Sequence, residues 1–227
     1  MIDYASRIRD LADPDNAAFV SKLTPGKEGI LGARVPQIRA LAKEVVTDDW
    51  RAVLENEPAN FEEEMLFGLV IATAKMPVEE RIARTEAFLP RIDNWSVCDT
   101  FCSAWKAGKA ERGAAWGFFS SLMDSGEEFP MRVSLIARMS MFKDEDSTRM
   151  LLDDIMSYDN PGYYYRMGAA WAVSVFYVRF PGMTEDALRS GRLCDWTQNK
   201  SIQKIRESFR VSAADKERLQ GLKRRSA

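Results

Sequence analysis

The sequence predicts an all-α protein built as an α-solenoid, a stack of helix pairs with a concave groove, and three observations carry that expectation. Apolar residues recur at three- and four-residue steps through most of the chain, as amphipathic helices require. Runs of β-branched alternation are nearly absent, so no segment reads as a strand. Four segments that are apolar round much of their circumference begin at residues 61, 95, 131 and 164, and a further helix candidate lies near Asn199, giving a recurrence of 33 to 36 residues. A period of that length holds one outer and one inner helix, neither of which buries its apolar face until the next pair stacks on it. An ordinary helical bundle with accidental spacing is the competing arrangement.

Each element has local signals. The opening MIDYASRIRDLADPD is charged and amphipathic and holds no apolar leader core. ILGARVPQIR, residues 30 to 39, reads as a glycine-containing turn followed by Pro36 near the first turn of a helix. FEEEMLFGLVIATAK runs from Phe61 to Lys75 and is ended by Pro77. WSVCDTFCSAWK, Trp95 to Lys106, follows Asp93 and Asn94, either of which can cap it. MRVSLIARMSMFK, Met131 to Lys143, follows Gly126 and Pro130, and YYRMGAAWAVSVFYVR, Tyr164 to Arg179, follows the turn Asp159-Asn160-Pro161-Gly162. Pro90 and Pro181-Gly182 mark other junctions. The acidic clusters Glu62 to Glu64 and Asp144 to Asp146 lack calcium-loop spacing and read as solvated faces. No stretch is long enough for a flexible linker, so residues 1–227 read as one domain.

Composition narrows the chemistry. The chain of 227 residues is 46% hydrophobic, enough for one sizeable core, and its 32 basic and 34 acidic residues leave a net charge of −2. A polyanion must therefore meet a local basic face. The histidine count is 0, which removes Ser-His-Asp and Cys-His nucleophile pairs, imidazole acid-base catalysis and histidine metal sites. Cys98, Cys102 and Cys194 form no CxxC pair and are odd in number, so neither a zinc knuckle nor a disulfide framework is expected, and a reducing, cytoplasmic setting fits. There is no GxxxxGK[ST] or GxGxxG loop, and no metal or cofactor is expected. No run approaches the roughly 18 apolar residues of a spanning helix, so no membrane partner is expected.

Charge is unevenly placed. Asn199 to Ala227 holds nine basic residues, Lys200, Lys204, Arg206, Arg210, Lys216, Arg218, Lys223, Arg224 and Arg225, against Glu207, Asp215 and Glu217. Lys200 and Lys204 with Arg206 and Arg210 can project from one side of a helix and meet phosphates; a solvated C-terminal face is the alternative. Trp95 and Asp99 are four apart and share a helix face. A carboxylate on so apolar a helix is costly to desolvate alone, so Asp99 is either functional or paired with an arginine or helix N-terminus. Arg132 and Trp171 stand out on later inner helices; in-register stacking would line one groove with Asp99, Arg132 and Trp171. Taken singly, Arg132 suits a surface ion pair and Trp171 a core position. Tyr163, Tyr164 and Tyr165 could form a stacking edge or plug the core between repeats.

In order along the chain, LGARVPQIRALAK, FEEEMLFGLVI, DNWSVCDTF, MRVSLIARMSMF, YYYRMGAAWAVSVFYVRFP and WTQNKSIQKIRES resemble the DNA alkylation repair family of HEAT-like repeat DNA glycosylases, the AlkD type, from about Gly32 to Phe209. The resemblance is closer to a branch with CDTFC-like and NKSIQKIRES-like motifs and a shortened N-terminus. Thr24-Pro25-Gly26 interrupts what in active relatives looks like a continuous DNA-facing helix.

The resemblance implies a curved helical solenoid holding duplex DNA, alkylated or branched, on its concave face, and a monomer without cofactor. It also implies hydrolysis of the N-glycosidic bond of cationic N3- or N7-alkylpurines. Position by position, Asp99 resembles the catalytic carboxylate, Trp95 and Trp171 the aromatic residues beside the lesion, Arg132 the DNA-contacting arginine, and Lys200 and Lys204 basic residues facing the backbone. The expectation from a different class is a non-catalytic HEAT-like scaffold for unusual DNA structures or a protein partner.

Overall fold

The computed structural model describes residues 2–224; Arg225, one of the basic residues counted above, lies outside them. Among the described residues there are fourteen α-helices and no strand, so the all-α expectation holds. The chain divides into two compact units, Met1–Phe118 and Phe119–Ala227. The first unit contains α1 (Tyr4–Asp10), α2 (Pro14–Leu23), α3 (Val35–Val45), α4 (Trp50–Leu54), α5 (Phe61–Thr73), α6 (Val78–Phe88) and α7 (Trp95–Ala104), and the division falls within α8 (Arg112–Ser121). The second contains α9 (Glu128–Met141), α10 (Glu145–Ser157), α11 (Tyr163–Arg179), α12 (Pro181–Arg189), α13 (Asp195–Glu207) and α14 (Ala213–Gln220).

Within each unit, alternate helices pack together. In the first, α5 packs against both α3 and α7, with α4 and α6 also against it. In the second, α11 packs against both α9 and α13, while α10 contacts α12 and α14 contacts α13. The central helices are accordingly the most apolar. Met65, Leu66, Phe67, Leu69, Val70, Ile71 and Ala72 of α5 are all buried, which explains why the segment shows no polar face in the sequence.

Short polar side chains set the helix starts. Asn60 accepts from the Glu63 N–H at 3.0 Å, Asn94 from Val97 at 2.9 Å and Asp144 from Ser147 at 2.9 Å, each satisfying an orphan donor and stabilising its helix by about 1 kcal/mol. Of the two candidates before Trp95, it is Asn94 that caps. Pro130 lies inside the first turn of α9, which begins at Glu128. Proline is tolerated there because the N–H it lacks would have had no partner within the helix.

The solvated-face reading of Glu62 to Glu64 is overturned, whereas Asp144 to Asp146 are exposed. Glu62 is 1% exposed and Glu63 3%. Glu62 accepts from the N–H groups of Leu31 (3.0 Å) and Gly32 (2.7 Å); Glu63 accepts from the N–H of Ala59 (2.9 Å) and the Asn60 amide (2.8 Å). Burial pushes the Glu62 carboxyl pKa up, while the backbone donors counter it. Its chain partner is a glycine by necessity: Gly32 has φ +92°, and a Cβ there would lie 2.0 Å from the Asp13 carbonyl oxygen.

Candidate functional site

In the first unit, α7 presents Trp95, Asp99 and Ser103 at four-residue spacing along one face. Val97, Cys98, Phe101 and Cys102 are buried on the other, whereas Trp95 and Asp99 are half-buried. The amphipathic pattern thus orients the carboxylate away from the apolar core. Arg39, on α3, donates to the Ser103 hydroxyl at 3.0 Å, placing a guanidinium at the end of this face. Sequence reasoning missed Arg39, although it belongs to the ILGARVPQIR motif; nothing in the local pattern says which neighbouring helix it reaches.

The indole N–H of Trp95 donates to the Leu23 carbonyl at 2.8 Å. That carbonyl is available because α2 stops at Leu23: Thr24 caps it, Pro25 follows, and Gly26 turns the chain at φ +84°. Beyond the turn, Lys27 lies 2.6 Å from Glu64 and 3.0 Å from Asp93. Burial disfavours the Lys27 ammonium, but the two carboxylates outweigh it and hold its pKa above the ordinary lysine value. The Thr24-Pro25-Gly26 break is therefore a latched turn against the edge of Trp95.

In the second unit, Arg132 on α9 is 5% exposed and donates through Nη1 to the Tyr164 carbonyl at 2.5 Å. It is buried rather than displayed on the surface. Its route passes Gly168 on α11, where a Cβ would lie 3.1 Å from Nη1 and 3.4 Å from Cγ. The small residues before Trp171 thus admit an arginine from the adjacent helix. Trp171 itself is half-buried, not a core indole.

Lys200 and Lys204 sit one turn apart on α13, both half-buried, and Lys200 donates to the Gln203 side chain at 3.1 Å. Burial chiefly lowers the Lys204 pKa; Lys200 and Arg132 lower it further, and Glu207 opposes them. Lys204 is thus near enough to Lys200 and to Arg132 for both charges to act on it. The helix carrying Trp171, α11, packs against both helices that carry these cations.

Tyr165 is buried, as the core-plugging expectation has it, whereas Tyr163 is exposed. Among the described residues, no helix is long and apolar enough to cross a membrane, and no group of three or more Cys, Asp or Glu side chains is arranged to hold a metal ion.

These features define an all-helical protein with a carboxylate one turn from an indole in one unit and interacting cations in the other. The model of the DNA alkylation repair enzyme family matches residues 5–157, about two thirds of the chain, and the chain belongs to that family. The matched stretch contains Trp95, Asp99 and Arg132, while Trp171, Lys200 and Lys204 lie beyond it. No curated protein and no solved structure matches the chain.

Proposed function

We propose that the protein is a HEAT-like solenoid of the alkylation repair family that binds duplex DNA and hydrolyses the N-glycosidic bond of cationic N3- or N7-alkylpurines. The observation that carries this reading is the presence, inside the family match, of a half-buried aspartate one helical turn from a half-buried indole. An alkylated purine already bears positive charge, so it departs without a general acid, which suits a chain with no histidine. The C1′–N bond breaks towards an oxocarbenium-like sugar. Asp99 stabilises that cation and orients the water whose oxygen forms the new C1′–O bond. The proton released from water passes to solvent, and the purine leaves neutral. Trp95 packs against the cationic nucleotide, and in the second unit the half-buried Lys200 and Lys204 hold phosphates without reading sequence, with the buried Arg132 adding positive charge beneath them.

Release of 7-methylguanine or 3-methyladenine from alkylated duplex DNA tests the chemistry. Asp99→Asn is expected to slow release by about 10²-fold or more, the scale of losing one electrostatic stabiliser at a developing charge. Wild-type rates from that variant would remove Asp99 from the reaction. One observation favours a second reading, a non-catalytic scaffold for unusual DNA or a protein: the edge of Trp95 is already bonded to the chain's own Leu23 carbonyl. Tight binding of DNA with no base released would select it.

A further inference from the structure

The second unit carries an aromatic series that the proposed reaction does not use. Phe129, in the first turn of α9, lies 5.3 Å from Tyr164, which lies 5.4 Å from Tyr163; Tyr163 in turn lies 6.0 Å from Trp196, in the first turn of α13. All three separations fall within the range of favourable ring contacts. The series crosses the starts of α9, α11 and α13, of which α11 packs against the other two. Its outer members stay open, with Tyr163 59% exposed and Trp196 37%. Two large rings left in water beside each other are unusual where burial would stabilise each by a few kcal/mol.

Charge decides what such a surface suits. Trp196, Lys200 and Lys204 follow one another at four-residue spacing on α13, so the indole heads a line of ammonium groups on one face. Nearby acids are engaged: Asp195 pairs with Arg224 at 2.8 Å, Asp159 with Arg166 at 3.4 Å, and Glu128 accepts from the Tyr164 N–H. Rings that can stack, beside cations that attract phosphates, form the combination by which proteins hold unpaired nucleotides.

We propose that Tyr163 and Trp196 form a stacking platform for unpaired bases of a single-stranded DNA extension, whose phosphates run toward Lys200 and Lys204. This goes beyond the base-release reading but rests on DNA being the partner. An apolar peptide would use the rings but leave the lysines without a role.

The test measures binding of three DNAs: a blunt unmodified duplex, the same duplex with a single-stranded thymidine extension, and the thymidine oligonucleotide alone. The extension is expected to raise affinity about tenfold, within the range of base–aromatic stacking. Tyr163→Ala with Trp196→Ala should remove that gain, leave blunt-duplex affinity and its salt slope unchanged, and abolish quenching of tryptophan fluorescence by the oligonucleotide. Tyr163→Phe with Trp196→Phe keeps two rings and should keep the gain. A duplex bound no tighter with the extension, or a gain that survives the alanine pair, overturns the platform. Failure to bind the blunt duplex while the extension still binds through these rings would instead overturn the duplex reading alone.

Discussion

The two units solve the same problem, how to place charged side chains in a helical protein, in opposite ways. In the first, carboxylates hold the chain together: the buried Glu62 and Glu63 reach backbone N–H groups, and the half-buried Glu64 with the exposed Asp93 latches Lys27. Even its buried arginine serves this end, since Arg81 donates to the carbonyls of Lys106 (2.8 Å) and Ala74 (2.9 Å). In the second, cations dominate. Arg138 is fully buried, with Asp154 at 2.6 Å and the hydroxyls of Ser120 and Ser134 satisfying its fork, while Arg132 on α9 and Lys200 on α13 both act on Lys204. The aromatic groups divide likewise: Trp95 is tied to Leu23, and Tyr163 and Trp196 are open. A near-neutral net charge conceals this partition, which is why composition is a poor guide to a polyanion surface.

The largest effect is expected where the first unit depends on its carboxylate anchor. Gly32→Ala combines a left-handed backbone with a Cβ clash, and should cost about 3–5 kcal/mol, lowering Tm by roughly 10 °C in thermal unfolding. A change under a few degrees would mean that the Glu62 contact readily re-forms another way. Next, Asp154→Ala leaves the Arg138 guanidinium buried without its counter-charge. The expected loss is about 2–3 kcal/mol in denaturant unfolding, less than a sealed pair because Asp154 is itself partly exposed. Arg138→Met, which removes the charge, should cost less than Asp154→Ala; the reverse order would refute the ion-pair account.

Smaller effects sharpen the cationic half of the comparison. Lys200→Ala with Lys204→Ala should weaken duplex binding and flatten its dependence on salt by about two units of slope or fewer. An unchanged slope assigns both lysines to the solvated face. The smallest effect is in pH. The Lys204 pKa is lowered in the folded protein, so between that value and the usual one the unfolded chain binds more protons, and this group makes stability rise with pH across that window. A bound phosphate reverses the preference by favouring the ammonium. DNA affinity at fixed ionic strength should therefore fall as pH rises through that lowered value, below the ordinary lysine range, and Lys204→Arg should flatten that fall. Equal profiles for the two proteins would show that Lys204 meets no phosphate.

Local signals carried much of the fold into view. The starts of α5, α7 and α11 fall within a residue of the positions that apolar periodicity and capping residues indicate, because those choices are made within one or two helical turns. Of the candidate site, the pairing of Trp95 with Asp99 on one face was equally legible, since a four-residue step fixes it. The fate of Glu62 to Glu64 was not. An acidic run in a first turn looks the same whether it meets water or the backbone of a segment thirty residues earlier.

Sequence alone determined the all-helical class, the starts of α5, α7 and α11, the absence of imidazole chemistry and the resemblance that the family match supports, since each depends on composition or on neighbours along the chain. Tertiary structure alone decided that Arg132 is buried over Gly168, that Arg39 reaches Ser103, and that Tyr163 meets Trp196. Those outcomes depend on which helix faces which, and that is set by long-range packing of apolar surfaces whose partners no short window contains.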